Sequence, residues 1–163
     1  MTESIRKSEK FKIGRSKTPE SLGFFPSEES LLSCTEYQLK QIYIQKIAYF
    51  KEAGLYSLTF ILSDNIRSPP KKSYKQEPTE AYTLPEGHHM SQLLFGLDAN
   101  PQLVSVQISA DQKMIHEIKG TNGKFEDSQI IKLANNEHIV SANVEVKKKR
   151  WEAQTVQFII FTL

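Results

Sequence analysis

Apolar and polar residues alternate along the last part of the chain, and this alternation predicts β-strands. Within residues 139–146, apolar side chains from Val140 onward alternate with polar ones such as Ser141 and Asn143, the two-residue period typical of a strand. Residues 155–163 are apolar on both faces, because Phe158 alternates with Ile159 along the segment. A strand of this kind must be covered on both faces. The pattern therefore predicts a layered or closed all-β domain with this strand in its core.

Six further apolar segments predict strands upstream of these two. They lie at residues 55–63, 81–84, 90–97, 103–108, 114–119 and 129–133. Turn-forming residues separate them, among them Pro85, Gly87 and Asn135. Residues 64–80 contain three prolines and no glycine, and we expect an extended loop there.

Residues 35–51 fit two kinds of element. Leu39, Ile42, Ile44 and Ile47 alternate with polar residues except for one slip, which predicts a strand with a bulge or two strands that meet. Leu39 and Ile42 also have helical spacing, so a helix over this segment is an equal alternative. The sequence leaves the two interpretations open.

The first 35 residues have no sustained periodicity and are rich in serine, lysine and glutamate. We predict two parts of the chain: an extended, basic and polar N-terminal arm over 1–35, and a domain over 36–163. In the arm, Phe24 and Phe25 lie between Gly23 and Pro26. These rings either anchor the arm on another surface or fold back onto this domain.

The start of the arm is basic, because residues 1–17 have a local net charge of +4. The whole chain has a net charge of +2. The arm has six basic residues, which are Arg6, Lys7, Lys10, Lys12, Arg15 and Lys17. An arm of this kind is either a solvated segment or a contact for a partner with an acidic surface.

The composition excludes several classes of protein. Cys34 is the one cysteine, so the chain has no internal disulfide and too little sulfur for a cysteine-based metal site. Residues 1–12 lack the apolar segment of a secretory signal, and no stretch of the chain approaches the length of a membrane span. We therefore expect a cytoplasmic protein that is not inserted in a membrane.

No set of catalytic residues stands out in the sequence. The four histidines are His88, His89, His116 and His138. Two adjacent histidines point apart on an extended chain, and metal sites usually need three or four ligands, so we interpret them as surface residues. We predict no enzymatic activity, no metal and no cofactor.

A basic run interrupts the two C-terminal strands. Lys147, Lys148, Lys149 and Arg150 precede Trp151. The run is either a solvated hairpin tip that opposes edge-to-edge aggregation or a contact for an acidic partner. Aromatic residues do not alternate with the basic ones, so we do not expect nucleic-acid binding.

Three blocks of sequence, taken in order, resemble the jacalin-related lectins. Residues 55–60 (LYSLTF), 82–90 (YTLPEGHHM) and 131–142 (IKLANNEHIVSA) match strand and turn patterns of that family. The resemblance extends over about residues 39–163. It implies an all-β fold, a jacalin-like β-prism of three small antiparallel sheets packed as a triangular prism.

The sugar-binding pattern of that family is degenerate in this chain. Sugar-binding members resemble one another in glycine-bearing loops and in a terminal G-x-x-x-D loop that binds sugar hydroxyls. Here Arg150 replaces the glycine and Gln154 replaces the aspartate, with Trp151 between them. A backbone without glycine cannot approach a ligand as closely, and Gln154 lacks the charge that strengthens hydrogen bonds to hydroxyls. The resemblance therefore implies the fold and argues against the family's usual ligand chemistry.

These observations favour a non-catalytic structural or protein-interaction module in a larger assembly. A cytoskeletal or ciliary lattice such as a microtubule is one such assembly. The candidate partner-binding residues are the six basic residues of the arm, Phe24, Phe25, Lys147, Lys148 and Lys149. The alternative is a cytosolic carbohydrate-binding lectin whose site includes Arg150, Trp151 and Gln154.

Overall fold

A computed structural model describes residues 7–14, 20–21, 24, 26–51, 54–62, 79–85, 87, 89–98, 102–120, 126–147 and 152–162. Within these residues, the helices are α1 (Glu28–Leu32) and α2 (Glu36–Lys40). The strands are β1 (Lys7–Gly14), β2 (Glu20–Ser21), β3 (Ile44–Lys51), β4 (Leu55–Leu62), β5 (Glu80–Thr83), β6 (Met90–Leu97), β7 (Leu103–Ala110), β8 (Lys113–Lys119), β9 (Asp127–Lys132), β10 (Glu137–Lys147) and β11 (Glu152–Thr162).

The strands form three antiparallel sheets. One sheet has the order β8-β7-β6-β9. The other strands form a continuous ladder, but within the described residues β4 and β11 share a single residue pair, Tyr56 with Glu152. The ladder therefore divides there into β5-β3-β4 and β1-β11-β10-β2, and β1 and β10 pair with opposite edges of β11. This arrangement confirms the predicted all-β prism.

Three phenylalanines meet at the centre of the prism, one from each sheet. The ring centroids of Phe60 and Phe158 are 5.2 Å apart in an edge-to-face arrangement. Phe95 lies 6.5 Å from Phe60 and 6.1 Å from Phe158. All three side chains are buried, so one aromatic cluster joins the sheets along the prism axis.

A second aromatic contact closes one edge of the prism. Tyr82 on β5 pairs with the buried Ile47, so its side chain is on the core side of that edge strand. Its ring stacks on the His116 imidazole of β8, with centroids 3.8 Å apart and an interplanar angle of 3°. The stack joins two sheets where no backbone ladder connects them.

Residues 35–51 contain both of the predicted elements. Thr35 caps α2 and forms a reciprocal capping box with Gln38, which fixes the start of the helix. The strand β3 then begins at Ile44, with a register shift between Ile44 and Lys46. The eight strands predicted from residue 55 onward are each confirmed, whereas most of the predicted 64–80 loop lies outside the described residues.

Apolar and polar residues alternate along β10, but the polar side chains at Ser141 and Asn143 do not face solvent. Ser141 and Asn143 are only 0% and 3% exposed. The Ser141 hydroxyl donates a hydrogen bond to the Pro26 carbonyl oxygen, and Asn143 Nδ2 donates to Gln157 Oε1 at 3.1 Å. Internal partners satisfy these polar groups, so the strand is buried on both faces.

The described part of the predicted N-terminal arm is integrated into the fold. β1 pairs with β11 from Lys7 opposite Thr162 to Gly14 opposite Thr155. Leu31 and Cys34 are buried in the same core as the strands. The expectation of an arm outside the core is therefore wrong for these residues. The second apolar face of β11 requires a cover, and this segment contributes to it.

The β7–β8 hairpin has a two-residue turn in the left-handed region. Asp111 has φ 51° and Gln112 has φ 72°, which is typical of a type I′ turn. The Asp111 amide donates to the His89 carbonyl oxygen at 3.0 Å, and the Gln112 amide donates to Ser91 Oγ at 3.1 Å. The turn therefore fixes the backbone that leads into β6.

We predict that Gln112→Gly stabilises the domain by about 1 kcal/mol. A side chain in the left-handed region costs about this much, and glycine removes the cost while it keeps the amide. Urea denaturation measures the change. Gln41→Gly is the matched control, because Gln41 has φ −88° and glycine there is expected to destabilise. Equal effects at both positions would contradict the turn argument.

Candidate functional site

Strand pairing assigns the described loops to two opposite ends of the prism. At one end, Lys147 of β10 pairs with Glu152 of β11. At the other end, Glu137 begins β10 beside Thr162, and Ile44 begins β3 beside Leu62. We call these the Lys147 end and the cleft end.

The cleft end has an open cavity of about 570 Å³. Its floor is apolar and consists of the buried side chains of Ile42, Ile44, Leu84, Leu133 and Ile139. Its polar lining consists of Tyr43, His89, Asn135, Glu137 and His138. Pockets for small ligands commonly combine a volume of roughly 300–1,000 Å³, an apolar lining and a few polar groups.

Backbone hydrogen bonds hold three walls of the cleft. The Ile42 amide donates to the Leu39 carbonyl at the end of α2, at 3.2 Å. The Leu84 amide donates to Gln45 at 2.9 Å, and the Leu133 amide donates to Ser91 at 2.8 Å. Each bond ties a residue beside or in the cleft to a neighbouring element, so the walls are part of the folded framework.

A tight turn positions the acidic side of the cleft. The Glu137 amide donates to the Ala134 carbonyl at 2.9 Å, and the Ala134 amide donates to Glu137 Oε1 at 2.8 Å. The carboxylate is thereby oriented by its own turn. Its second oxygen can accept a hydrogen bond from a ligand.

Two histidines face each other in the cleft. The imidazole centroids of His89 and His138 are 5.8 Å apart, and the rings are edge to face at 86°. His89 Nε2 lies 3.4 Å from the Leu133 carbonyl oxygen. His138 pairs across the ladder with Phe161, so it lies on the face of β10 that the N-terminal segment covers.

The environment of His138 favours its neutral form. Burial holds the pKa of His138 below the ordinary value of 6.5, and the charge of a protonated His89 lowers it further. The cleft is therefore lined by a neutral imidazole at neutral pH.

The structure describes only part of the predicted carbohydrate site. Arg150 and Trp151 lie outside the described residues. Gln154 lies within β11, which begins at Glu152. A register shift between Glu145 and Val146 places Gln154 between their partners, Thr155 and Ala153. The pairing of β10 with β11 extends to Lys147 and Glu152, beyond the predicted start of the last strand at residue 155, and it therefore includes Gln154.

The predicted partner-binding residues are dispersed. Lys7, Lys10 and Lys12 are in β1, opposite Thr162, Ile159 and Gln157. Lys147 ends β10. The remaining basic candidates, Arg6, Arg15, Lys17, Lys148 and Lys149, lie outside the described residues, as does Phe25.

Phe24 packs against the hydrophobic core of its own domain. Of the two interpretations of this ring, the structure supports the one in which it folds back. Because the ring is only partly buried, its role as an anchor for a partner stays a prediction.

Sequence reasoning missed the cleft. Its lining comes from three separate segments, 42–44, 84–90 and 133–139. The last two overlap blocks that resemble strand and turn patterns, and those patterns carry no signal of a ligand site. The adjacent histidines at 88 and 89 were a signal, but the partner of His89 is His138, far along the chain. Among the described residues, no group of three or more histidine, cysteine, aspartate or glutamate side chains could hold a metal ion. Neither described helix has the length or apolarity needed to cross a bilayer.

Comparison with solved structures identifies the fold. A mannose-specific jacalin-related lectin from Morus nigra, solved in complex with mannose, matches with a TM-score of 0.60 at 13% identity, over 96% of each chain. A Malaysian banana lectin matches with a TM-score of 0.59 at 8% identity, over 96% of this chain and 100% of that one. The second β-prism domain of RbmC from V. cholerae matches with a TM-score of 0.52 at 10% identity, over 91% and 96%.

The chain therefore has the jacalin-like β-prism fold. No protein-family model matches the sequence, and comparison with curated protein sequences gives no match. At identities this low, the similarity to the lectins shows the fold and leaves the ligand to be argued from the residues of this chain.

We predict that acid destabilises the domain through His138. Because its folded pKa lies below 6.5, the unfolded chain binds a proton more readily, so the free energy of unfolding falls as pH decreases below 6.5. Urea denaturation at pH 7.5 and 5.5 measures the loss. His138→Gln should reduce the loss of unfolding free energy in acid. His116→Gln, a substitution outside the cleft, should leave that loss unchanged. An unchanged loss in His138→Gln would contradict the assignment.

Proposed function

We propose that this chain is a carbohydrate-binding module and that the cleft is its binding site. The observation that carries the proposal is the combination in one open cavity of an accessible tyrosine ring, an amide, a carboxylate and two imidazoles. Sugars present C–H faces and hydroxyls, so they require an apolar or aromatic surface beside donors and acceptors. The polar lining and floor of the cleft provide both.

Tyr43 is the central residue of the proposed site. Its side chain is 41% exposed although it lies between the buried residues Ile42 and Ile44. An aromatic ring in this position offers a flat apolar surface to a sugar and a hydroxyl at its edge. Asn135 and Glu137 offer an amide and an oriented carboxylate from the opposite turn.

The similarity of the fold to solved lectins is a second argument for the proposal. The Morus nigra protein is mannose-specific, and it matches this chain over nearly its whole length. This similarity favours the lectin alternative over the protein-interaction module as the function of this chain. Neither the fold nor the comparisons support the cytoskeletal or ciliary role, and we do not propose it. The cytoplasmic location and the lack of enzymatic activity stay predictions.

A protein contact is the second candidate function. Leu32 on α1 and Tyr37 on α2 are 79% and 73% exposed, so both side chains are accessible to a protein partner. Capture from cell extract separates the two functions. A partner that free sugar elutes is held through its glycan, whereas a partner that resists sugar is held by protein contact.

We predict that Tyr43→Ala weakens sugar binding about tenfold, because loss of an aromatic platform costs on the order of 1 kcal/mol. A glycan array identifies the sugars bound, and calorimetry with the strongest of them gives the affinities. Tyr37→Ala is the matched control, since it removes the same side chain from a helix. Equal weakening in both variants, or no sugar bound by the unaltered chain, would contradict the proposal.

A further inference from the structure

The described lining of the cleft contains two groups that can become positive and no fixed positive charge. Among the described residues that line it, the ionisable side chains are Tyr43, His89, Glu137 and His138, and none is a lysine or an arginine. Within this described lining, positive charge can come only from the two imidazoles. Their protonation state therefore determines which charges the cleft can bind.

The arrangement makes double protonation unfavourable in the empty cleft. The imidazole centroids are 5.8 Å apart, and the floor beneath them is apolar. Two like charges at this separation repel each other. Glu137 is the acidic group of the lining, and one of its oxygens already accepts the Ala134 amide.

An anionic group bound beside both rings removes this penalty. A protonated imidazole donates from both nitrogens, and its hydrogen bonds to a carboxylate are stronger than those to a neutral hydroxyl. A carboxylate has enough lone pairs to accept from both rings. The ligand then stabilises the protonated pair, and binding takes up a proton.

The other polar groups require hydroxyls on the same ligand. Glu137 is an acceptor that would repel a ligand carrying only negative charge, whereas sugar hydroxyls donate to it. Tyr43 offers its ring and Asn135 offers its amide. The lining therefore fits a molecule with an apolar face, several hydroxyls and a single carboxylate.

We propose that the cleft selects an acidic saccharide, such as a uronic acid residue, whose carboxylate lies between His89 and His138 and whose hydroxyls face Glu137 and Asn135. This inference rests on the proposed carbohydrate function and names the class of sugar. It also predicts that the affinity for the acidic sugar increases as the pH decreases.

A matched pair of sugars tests the inference. Methyl β-glucuronide and methyl β-glucoside differ only at C6, where the first has a carboxylate and the second a hydroxymethyl group. Calorimetry at pH 7.5 and 5.5 should show glucuronide binding that strengthens about tenfold for each pH unit over which one proton is taken up. The glucoside should show no such change. Titration in two buffers of different ionisation enthalpy counts the proton directly.

Substitution of each histidine tests the assigned residues. His89→Gln and His138→Gln keep a polar side chain and remove the ionisable group, so each should abolish the gain in acid. His116→Gln is the matched control, since His116 stacks on Tyr82 outside the cleft. Thermal melting verifies that each variant is folded. If one of the two variants does not fold, the other still tests the inference.

The outcomes separate this inference from the proposed function. If both sugars bind and neither depends on pH, the acidic-sugar inference is wrong and carbohydrate binding stands. If neither sugar binds and a glycan array is also silent, the proposed function fails, and the inference fails with it. If the glucuronide gains affinity in acid equally in both histidine variants, its carboxylate lies elsewhere and the inference is overturned.

Discussion

The structure depends on covering both faces of β11. Phe158 packs on Phe60 and Phe95 inside the prism, while Ile159 and Phe161 on the other face are also nearly inaccessible. Burial of a large apolar side chain stabilises a fold by roughly 1.5–3 kcal/mol, so exposure of the outer face would cost several times that amount. The three sheets alone cover only the inner face. The outer face therefore requires the segment before β3, which is why residues 26–42 belong to the domain.

That cover also creates the cleft. The segment passes over β10 where Ser141 donates to the Pro26 carbonyl, and it continues through α1 and α2 toward the start of β3. The capped end of α2 brings Ile42 into the core and leaves Tyr43 accessible. His138 is on the covered face of β10, so the end of the cover and the start of that strand form two sides of one cavity.

The sequence predicts the strands, which depend on neighbouring residues, and does not predict contacts between residues that are distant in the chain. The period-two pattern located the strands because it depends on residues close in the chain. It could not predict that Ser141 and Asn143 are buried, since their burial and hydrogen bonds come from distant residues. The histidine pair was missed for the same reason. Phe24 illustrates the limit clearly, because no local pattern distinguishes a ring that packs inward from one that anchors outward.

The two ends of the prism are formed by different turns of the chain. The inner faces of the sheets pack in the core, and the cleft lies at the ends of the strands. Turns at the Lys147 end and turns at the cleft end alternate along the chain, because each strand runs from one end to the other. A change in the residues beside Lys147 and Glu152 is therefore a change at the end opposite Tyr43, Asn135 and the histidine pair. The loss of the sugar-binding pattern at one end is consequently no argument against a ligand at the other.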